Sequence, residues 1–422
     1  MRLRRRRNYS YYSPYSNSRS SRIRWDRVFM IIAIVVVIVG GLLWFNLNRI
    51  QLMIKGYSFG QQNEILSLNR QDIKEVLSHD KMEHITDWIK TSKDVQYYDE
   101  YEHYYTLHDG SEVKEVVTTV KDIFDNYVPK LESLGYSENN IWEVLKKANQ
   151  DDLAYLIEKK YTYDAIQPYM SVQGFAYQDL EKYMEVYKEK HNYNYAVFIT
   201  AYPFILSENA TEDMTTYVIQ NPKDVTILVK KGFTLDSSYE PEDLVVPNLP
   251  VSPDCTDQPK LREEAAKALE EMAAEAKKEG YELVINSAYR SYSEQKEIYD
   301  DYFKKYDEVT ASGLVSLPGA SEHQTGLGVD LTSASVVQLK AQGEVAFFGD
   351  SVEGKWTIAN AYRFGFILRF PTDQSHITGI SNEPWHFRYV GKKAASKMHD
   401  NNWTLEEYCL YEGVLPKLKE NQ

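Results

Sequence analysis

The sequence predicts an α+β domain at the carboxyl-terminal end, a mostly helical spacer before it, and one apolar helix near the amino terminus. Three observations predict this arrangement. Residues 28–48 carry no charged side chain, and residues 49–225 repeatedly place apolar side chains at helical spacing. Residues 251–422 combine one long helical pattern with short apolar runs.

The apolar segment is long enough to cross a membrane, since about 20 residues at 1.5 Å each span a hydrocarbon core. Residues 1–27 before it hold nine arginines and one acid, Asp26, whereas the whole chain carries a net charge of −14. Positively charged flanks stay in the cytoplasm. We therefore expect residues 1–27 to form a basic, disordered cytoplasmic tail, residues 28–48 to form a transmembrane helix, and everything after Arg49 to lie outside.

A cleaved signal peptide is the alternative interpretation of the amino terminus. The apolar run is longer than the hydrophobic part of such a peptide, and no small-x-small cleavage motif precedes the polar region. The arginines adjoin the apolar segment and the rest of the chain is acidic, so they do not indicate a nucleic-acid site. We expect a retained membrane anchor and no nucleic-acid partner.

The spacer, residues 49–225, shows a weak internal repeat. Gly56-Tyr57-Ser58 and Gly135-Tyr136-Ser137 each precede a helical pattern, and Gly174-Phe175-Ala176 begins a third, at intervals of 79 and 39 residues. These intervals predict a unit of about 40 residues built from paired short helices, with a degenerate copy around residues 97–105. Recurrence of glycine–aromatic starts by chance is the alternative.

A linker or entry segment, residues 226–250, leads to the α+β domain, residues 251–422. A helix is predicted from about Lys260 to Lys278, with apolar residues at helical spacing and a stop at Gly280. Strands are expected at Leu283–Ile285, Val329–Leu331, Phe366–Leu368 and Phe387–Tyr389, in a small antiparallel sheet.

Two motifs in this domain hold the residues of a catalytic metal site. The segment Ser321-Glu322-His323-Gln324-Thr325-Gly326-Leu327-Gly328-Val329-Asp330 supplies a histidine and an aspartate, and Glu383-Pro384-Trp385-His386 supplies a second histidine and a glutamate. Three ligands with an open position, plus a carboxylate to accept a proton from water, are typical of catalytic zinc. Any one of these histidines alone would more often be an ordinary surface or core residue.

The spacing within each motif requires a change of chain direction. Glycines between His323 and Asp330 provide the backbone freedom for a turn. Residues three apart on a regular strand face opposite sides, so Glu383 and His386 share a site only if the chain bends between them. Pro384 favours such a bend.

With Ser287-Ala288-Tyr289-Arg290-Ser291-Tyr292-Ser293-Glu294-Gln295 upstream, these motifs resemble the VanY-type D-alanyl-D-alanine carboxypeptidases. These enzymes belong to the LAS group of zinc peptidases and are close to the L,D-carboxypeptidases of peptidoglycan. The resemblance covers about the last 170 to 190 residues, a normal domain size. It implies a small antiparallel sheet with flanking helices, a Hedgehog/LAS-like zinc peptidase fold.

The resemblance implies one zinc ion held by His323, Asp330 and His386, with Glu383 as the general base. It also implies that Arg290 stabilises the tetrahedral intermediate, while Gln295 and Ser321 bind the substrate. A surface salt bridge is the commoner role for an arginine, but Arg290 lies between a strand pattern and a helix pattern, where loops present side chains to a site.

The expected function is removal of the C-terminal D-alanine from peptidoglycan stem peptides by a single-pass protein of the cell membrane. An L,D-carboxypeptidase and an endopeptidase on peptidoglycan are alternatives that the sequence leaves open. A non-catalytic wall-binding protein is a third, against which the complete set of catalytic residues argues.

The cysteines and one further histidine of this region are not expected to bind the metal. Cys255 and Cys409 bracket the α+β domain, and either a disulfide between them or two unpaired thiols fits an oxidising exterior. His376 lies in a predicted loop and is expected to be exposed rather than to bind the metal.

Overall fold

The computed structural model describes residues 24–210, 214–255, 258–307, 310–311 and 314–419, with the side chains of residues 42–45 left undescribed. The chain divides into two compact units, Met1–Gln150 and Asp151–Gln422. Most of the predicted disordered tail, residues 1–23, lies outside the described residues.

The described part of the first unit is helical. Its helices are α1 (Trp25–Phe45), α2 (Leu47–Ile54), α3 (Phe59–Leu66), α4 (Arg70–Ser78), α5 (Ile85–Thr91), α6 (Tyr98–Leu107), α7 (Val113–Asn126), α8 (Val128–Ser133) and α9 (Glu138–Leu145). Apolar residues of α2 to α7 enclose a core centred on Trp88, Tyr98 and Tyr101, all fully buried. The tyrosine-rich stretch around residue 98 therefore contributes to the core by ordinary packing.

Helix α1 coincides with the apolar segment of the sequence. Among the described residues, no helix has the length and apolarity needed to cross a membrane. The transmembrane helix at residues 28–48 therefore stays a prediction.

The first two copies of the predicted repeat share one local structure. Gly56 and Gly135 both have left-handed φ, 88° and 90°. Two residues later, Ser58 and Ser137 each begin a helix with a capping box, in which the serine side chain accepts from the third residue of the helix. The third copy, at Gly174, has the same left-handed φ but lacks a side-chain cap.

The second unit begins with helices and continues into the α+β part. Its helices are α10 (Gln150–Lys159), α11 (Tyr163–Met170), α12 (Leu180–Lys190), α13 (Tyr193–Ala201), α14 (Glu263–Lys278), α15 (Tyr292–Lys305), α16 (Ala334–Ala341), α17 (Val352–Asn360), α18 (Ser375–Thr378), α19 (Lys392–Asn401) and α20 (Leu405–Glu412). Helix α14 confirms the helix predicted from about residue 260, with its start three residues later.

Four strands form the central sheet, and two pairs of very short strands lie outside it. The short strands are β1 (Tyr217–Val218), β2 (Phe233–Thr234), β3 (Leu244–Val245) and β4 (Leu261–Arg262); the sheet contains β5 (Leu283–Ser287), β6 (Gly328–Ser333), β7 (Phe366–Leu368) and β8 (His386–Tyr389). The sheet order is β5-β6-β8-β7 and every neighbouring pair is antiparallel. The predicted antiparallel sheet is thus confirmed, and an α+β domain is the observed class.

Helix α14 covers one face of this sheet. Four of its alanines and Leu269 are buried together with inward-facing residues of β5, β6 and β8, such as Ile285, Val329 and Phe387. Alternation along each strand places these apolar side chains on the α14 side. Polar residues of β6 and β8, at alternate positions, are free to face a site on the other side.

The boundary between the two compact units lies after Gln150, within the predicted spacer. The physical reason is that α13 packs against α20. Asn192 Nδ2 donates to the Tyr411 carbonyl at 2.9 Å, and Gln173 Nε2 donates to the Pro416 carbonyl at 3.0 Å. The predicted domain boundaries themselves stay predictions.

The disulfide alternative is not realised. Cys409 is a free, fully buried thiol on α20, and burial raises its pKa. Such a thiol is inert because its thiolate is strongly disfavoured.

Candidate metal and peptidase site

His323 lies in a short 3₁₀ turn, Glu322–Thr325, that leads into β6. The turn ends at Gly326, whose φ of 66° is left-handed and where a Cβ atom would approach Leu244 Cδ2 to 2.9 Å. Only glycine fits this position without strain. The predicted turn between His323 and Asp330 is therefore confirmed.

Asp330 and His386 are directly opposite each other on β6 and β8. The two side chains are in contact, with Asp330 Oδ1 2.9 Å from His386 Nδ1. Before β8, the His386 amide donates to the Glu383 carbonyl at 3.0 Å, which closes a tight turn over Pro384 and Trp385. The predicted bend is confirmed.

His323, Asp330 and His386 form the group of potential metal ligands found among the described residues, with their ligand atoms all within 4.8 Å of one another. His323 Nε2 lies 3.6 Å from Asp330 Oδ2. Ligands about 2.1 Å from one tetrahedral zinc ion are about 3.4 Å apart. The spacing, the burial and the nitrogen–oxygen donor set fit zinc with one coordination position left open.

Hydrogen bonds select the nitrogen of His323 that faces the metal. Its Nδ1 lies 2.6 Å from the carbonyl oxygen of Ala288, which can only accept, so Nδ1 carries the hydrogen and Nε2 keeps its lone pair. Burial lowers the pKa of His323 to about 3. The imidazole is therefore neutral at physiological pH, as a ligand must be.

His386 is the more basic histidine of the metal-free site. Burial lowers its pKa, but the hydrogen bond to Asp330 and the negative charges of the nearby carboxylates outweigh burial and leave the pKa raised. His376, by contrast, is exposed and outside the ligand group, as predicted.

Glu383 lies on the turn before β8 and faces the same cavity as the ligands. Its backbone amide donates to the Phe370 carbonyl at 3.0 Å, which fixes the turn against the segment after β7. Burial raises the pKa of its carboxyl group to about 7, and the negative charge of Asp330 adds to this effect. A carboxylate with this pKa can both accept and return a proton near neutral pH.

Arg290 projects from the loop between β5 and α15. Its Nη1 donates to Gln295 Oε1 at 2.9 Å and its Nη2 donates to Ser287 Oγ at 3.2 Å. Gln295 is buried and donates in turn to the Ser316 carbonyl at 2.7 Å. The guanidinium group is thus held by neutral partners and keeps its full positive charge available to a ligand.

The predicted site residues all line one cavity of about 1000 Å³. They are Arg290, Gln295, Ser321, His323, Asp330, Glu383 and His386. The cavity is at the upper end of the usual volume of small-molecule pockets. It therefore has room for more than the two residues that flank a scissile bond.

Two groups of residues at this site were not predicted from the sequence. The first is Glu322, which is buried beneath His386. The second is the segment around Phe204 and Ser207, which lines the cavity although it precedes the α+β domain in the chain. Glu322 stands beside His323 in the motif, but nothing in the sequence showed its role, and no local signal marked the second group.

Comparison with known proteins places this site in a family. Residues 258–392 match the VanY family, described as D-alanyl-D-alanine carboxypeptidase. The chain is 47% identical over 192 residues to the putative carboxypeptidase YodJ of Bacillus subtilis (strain 168), which covers 45% of this chain and 68% of that protein. The chain belongs to the VanY family.

Other known proteins are also similar to this chain. A bifunctional D-Ala-D-Ala dipeptidase and D-Ala-D-Ala carboxypeptidase of Enterococcus gallinarum, VanXYC, is 35% identical over 188 residues, or 44% of this chain and 93% of that protein. A solved structure of the LdcB LD-carboxypeptidase is 44% identical, with a TM-score of 0.43 over 48% of this chain and 92% of that chain. The VanY match contains all seven predicted site residues.

Proposed function

We propose that this protein is a zinc-dependent carboxypeptidase that removes the C-terminal D-alanine from peptidoglycan stem peptides. The observation that carries the proposal is the cluster of His323, Asp330 and His386, with Glu383 and Arg290 facing the same cavity. The substrate class follows from membership of the VanY family and from relatives that are named as D-Ala-D-Ala carboxypeptidases.

The three ligand residues would hold zinc through His323 Nε2, a carboxylate oxygen of Asp330, and His386 Nδ1. When bound, zinc supplies a Lewis acid that polarises the scissile carbonyl and makes water acidic enough to attack at neutral pH. Asp330 and the histidines are buried, so the site is ready for a cation without further desolvation of its ligands.

Glu383 is the general base. It accepts a proton from the attacking water as the new C–O bond forms, and it returns that proton to the amine of the departing D-alanine as the C–N bond breaks. Burial raises the pKa of this carboxyl group, which favours the protonated form that returns the proton to the amine.

Arg290 stabilises the negative charge that develops on the carbonyl oxygen or on the substrate carboxylate. Gln295 and Ser287 hold the guanidinium group before substrate arrives, so no reorganisation is needed during the reaction. Ser321 is buried at the start of the 3₁₀ turn and lines the cavity, in a position to bind the substrate backbone.

The product masses obtained from defined muropeptides test this function. The full-length protein should convert a pentapeptide to a tetrapeptide by loss of one alanine, and Glu383→Gln should not. Conversion of tetrapeptide to tripeptide instead would establish an L,D-carboxypeptidase, and cleavage of a crosslinked dimer would establish an endopeptidase. No product from any substrate by the zinc-loaded protein would contradict the proposal and favour a wall-binding role.

We further propose that the protein is anchored in the cell membrane by the segment at residues 28–48, with the catalytic unit outside the cell. The support is the positive flank before this segment and the exposure of α1, whose large apolar side chains between Phe29 and Val39 are 47–73% exposed. A helix that is apolar on all sides is expected to be covered by something other than water.

Protease accessibility tests this topology. Protease added to intact protoplasts should degrade the chain after Arg49 while a cytoplasmic marker protein stays intact. A catalytic unit that stays protected until the membrane is opened would contradict both the orientation and the wall substrate.

A further inference from the structure

Beneath the proposed metal site, His386 and Glu322 face each other through two buried atoms. Glu322 Oε2 lies 3.5 Å from His386 Nε2, and within the described structure neither atom has a hydrogen-bond partner. The side chains of Glu322 and His386 are 2% and 4% exposed, so both lie away from bulk solvent. Buried polar atoms without partners are rare and call for an explanation.

The position of Glu322 excludes it as a further ligand. Asp330 contacts His386 at Nδ1, whereas Glu322 approaches the opposite nitrogen, Nε2. The two nitrogens of an imidazole ring point in different directions. A metal on the Asp330 side therefore leaves a hydrogen on Nε2, directed at Glu322.

Glu322 is itself held by a buried ion cluster, which we define as Glu322, Arg369, Arg388, Glu406 and Lys230. Arg369 Nε donates to Glu322 Oε1 at 2.8 Å, and Arg388 Nη1 lies 3.0 Å from the same oxygen. The side chains of all five residues are at most 7% exposed. These contacts occupy one oxygen of Glu322 and leave Oε2 for His386.

The outer part of the cluster fixes Arg369. Its two terminal nitrogens donate to both oxygens of Glu406, at 2.9 and 2.8 Å, and Lys230 Nζ lies 3.3 Å from Glu406 Oε1. A two-pronged guanidinium–carboxylate pair is geometrically restrictive. Arg369 therefore cannot rotate without breaking its contacts at both ends.

Lys230 connects the cluster to the cavity wall. Its Nζ also donates to the carbonyls of Ile205 and Ile377, at 2.8 and 3.2 Å, and to Ser207 Oγ at 3.0 Å. Lys230 and Glu406 both lie outside residues 258–392, the part of the chain that matches the family. Two members of the cluster thus come from segments that flank the matched region.

We propose that Glu322 is a positioning residue that accepts a hydrogen bond from His386 Nε2, so that His386 Nδ1 presents its lone pair to the metal, and that the buried ion cluster holds Glu322 in place. This inference rests on the proposed function for the identity of the ligands. It assigns Lys230 and Glu406 a role in metal affinity, although neither residue is itself a metal ligand.

The physical reason is the demand of a buried carboxylate for fixed cations. An ionised carboxylate in the interior is stable only when cations and donors surround it. Once fixed, it holds the imidazole in one tautomer and one orientation and makes the ligand nitrogen more basic. A neutral carbonyl acceptor, such as the one that serves His323, lacks the second effect.

Metal affinity tests the proposal without measuring catalysis. In the full-length protein, Glu322→Gln should weaken zinc binding by on the order of 10- to 100-fold in competition with a chromophoric chelator. The visible absorption of the cobalt-substituted variant should change as well, because His386 is no longer held in one orientation. Glu406→Gln should weaken zinc binding in the same direction but less.

Glu353→Gln is the matched control. Glu353 is also a buried glutamate with an oxygen that lacks a hydrogen-bond partner, but it lies on α17 and does not line the cavity. Its zinc affinity and cobalt spectrum should equal those of the wild type. An affinity of Glu322→Gln within twofold of the wild type, with an unchanged cobalt spectrum, would overturn the proposal.

A measurement on the wild-type protein tests the proposal even if the variants misfold. Nitrogen–proton correlation spectra of the zinc-loaded wild type should show His386 with its hydrogen on Nε2. A hydrogen on Nδ1 would contradict the proposal. A wild type that binds no zinc at all would instead refute the proposed function, so the two failures are distinguishable.

Discussion

The replacement Glu383→Gln separates two effects of this residue. Glu383 is the general base, and its buried negative charge lowers the stability of the folded protein. The amide has nearly the shape of the carboxylate but cannot accept a proton from water or become ionised. In the metal-free protein, burial raises the pKa of Glu383 to about 7 from an ordinary value of 4.5. The ionised carboxylate of Glu383 is therefore less stable in the folded protein than in the unfolded chain.

The size of this destabilisation follows from the pKa. A carboxyl group whose pKa rises from 4.5 to about 7 costs the folded state about 3 kcal/mol when it is ionised. Glu383 is only partly buried in the structure, so solvent reduces the effect, and we expect about 1–3 kcal/mol. The cost is absent below pH 4.5, where the group is protonated in both states, and complete above pH 7.

Urea unfolding of the metal-free proteins measures this difference. Glu383→Gln should be more stable than the wild type at pH 8, and the difference should disappear as the pH falls below 4.5. The same variant, loaded with zinc, should retain stoichiometric metal by mass spectrometry and release D-alanine about 10²- to 10⁴-fold more slowly.

The pH profile of the wild type gives a second readout of the same group. The value of kcat/KM should fall about tenfold per pH unit on the acid side, with a midpoint at or below about 7, because a bound cation favours the ionised carboxylate. Glu353→Gln serves as the control. It should change neither the pH dependence of the free energy of unfolding nor the value of kcat/KM. Turnover by Glu383→Gln within tenfold of the wild type, together with unchanged metal-free stability, would refute the assignment.

Three further changes test the remaining parts of the site. His323→Ala should abolish stoichiometric zinc binding, and full retention of zinc would reassign the ligands. Arg290→Ala should lower kcat by on the order of 10²-fold if the guanidinium group stabilises the oxyanion, whereas a change confined to KM would place it on the substrate carboxylate. Gly379→Ala should destabilise the protein by about 1–2 kcal/mol in urea unfolding, because Gly379 has a φ of 80° and the new methyl group would lie 2.5 Å from Ser207 Oγ. Equal stability of this variant and the wild type would mean that the loop on the cavity wall adjusts freely.

Local sequence patterns were sufficient for the elements of the catalytic sheet. The helical spacing after residue 260 and the four short apolar runs predicted α14 and the strands β5 to β8, because each pattern lies within one element and reports which of its faces is buried. The antiparallel arrangement was also predicted and is observed. The division of the chain after Gln150 was not predicted, because it depends on contacts between α13 and α20, more than 200 residues apart.

The chemistry of the site was likewise present in the sequence. His323, Asp330, Glu383 and His386 are recognisable because catalysis requires these residue types at spacings that a turn or a strand can bring together. The role of Glu322 was not recognisable, although it stands beside His323. Its meaning depends on Arg369 and Glu406, which have no sequence relation to the motif.

The sequence by itself therefore determined which residues can bind a metal, accept a proton and stabilise an oxyanion, since these abilities belong to the side chains and their local spacing. Only the tertiary structure decided how the ligands are held. Glu322 becomes a support for His386 because β7, α20 and the segment before β2 bring Arg369, Glu406 and Lys230 to one buried place. A buried charge is stable only where opposite charges lie close to it, and only the folded chain brings these charges together.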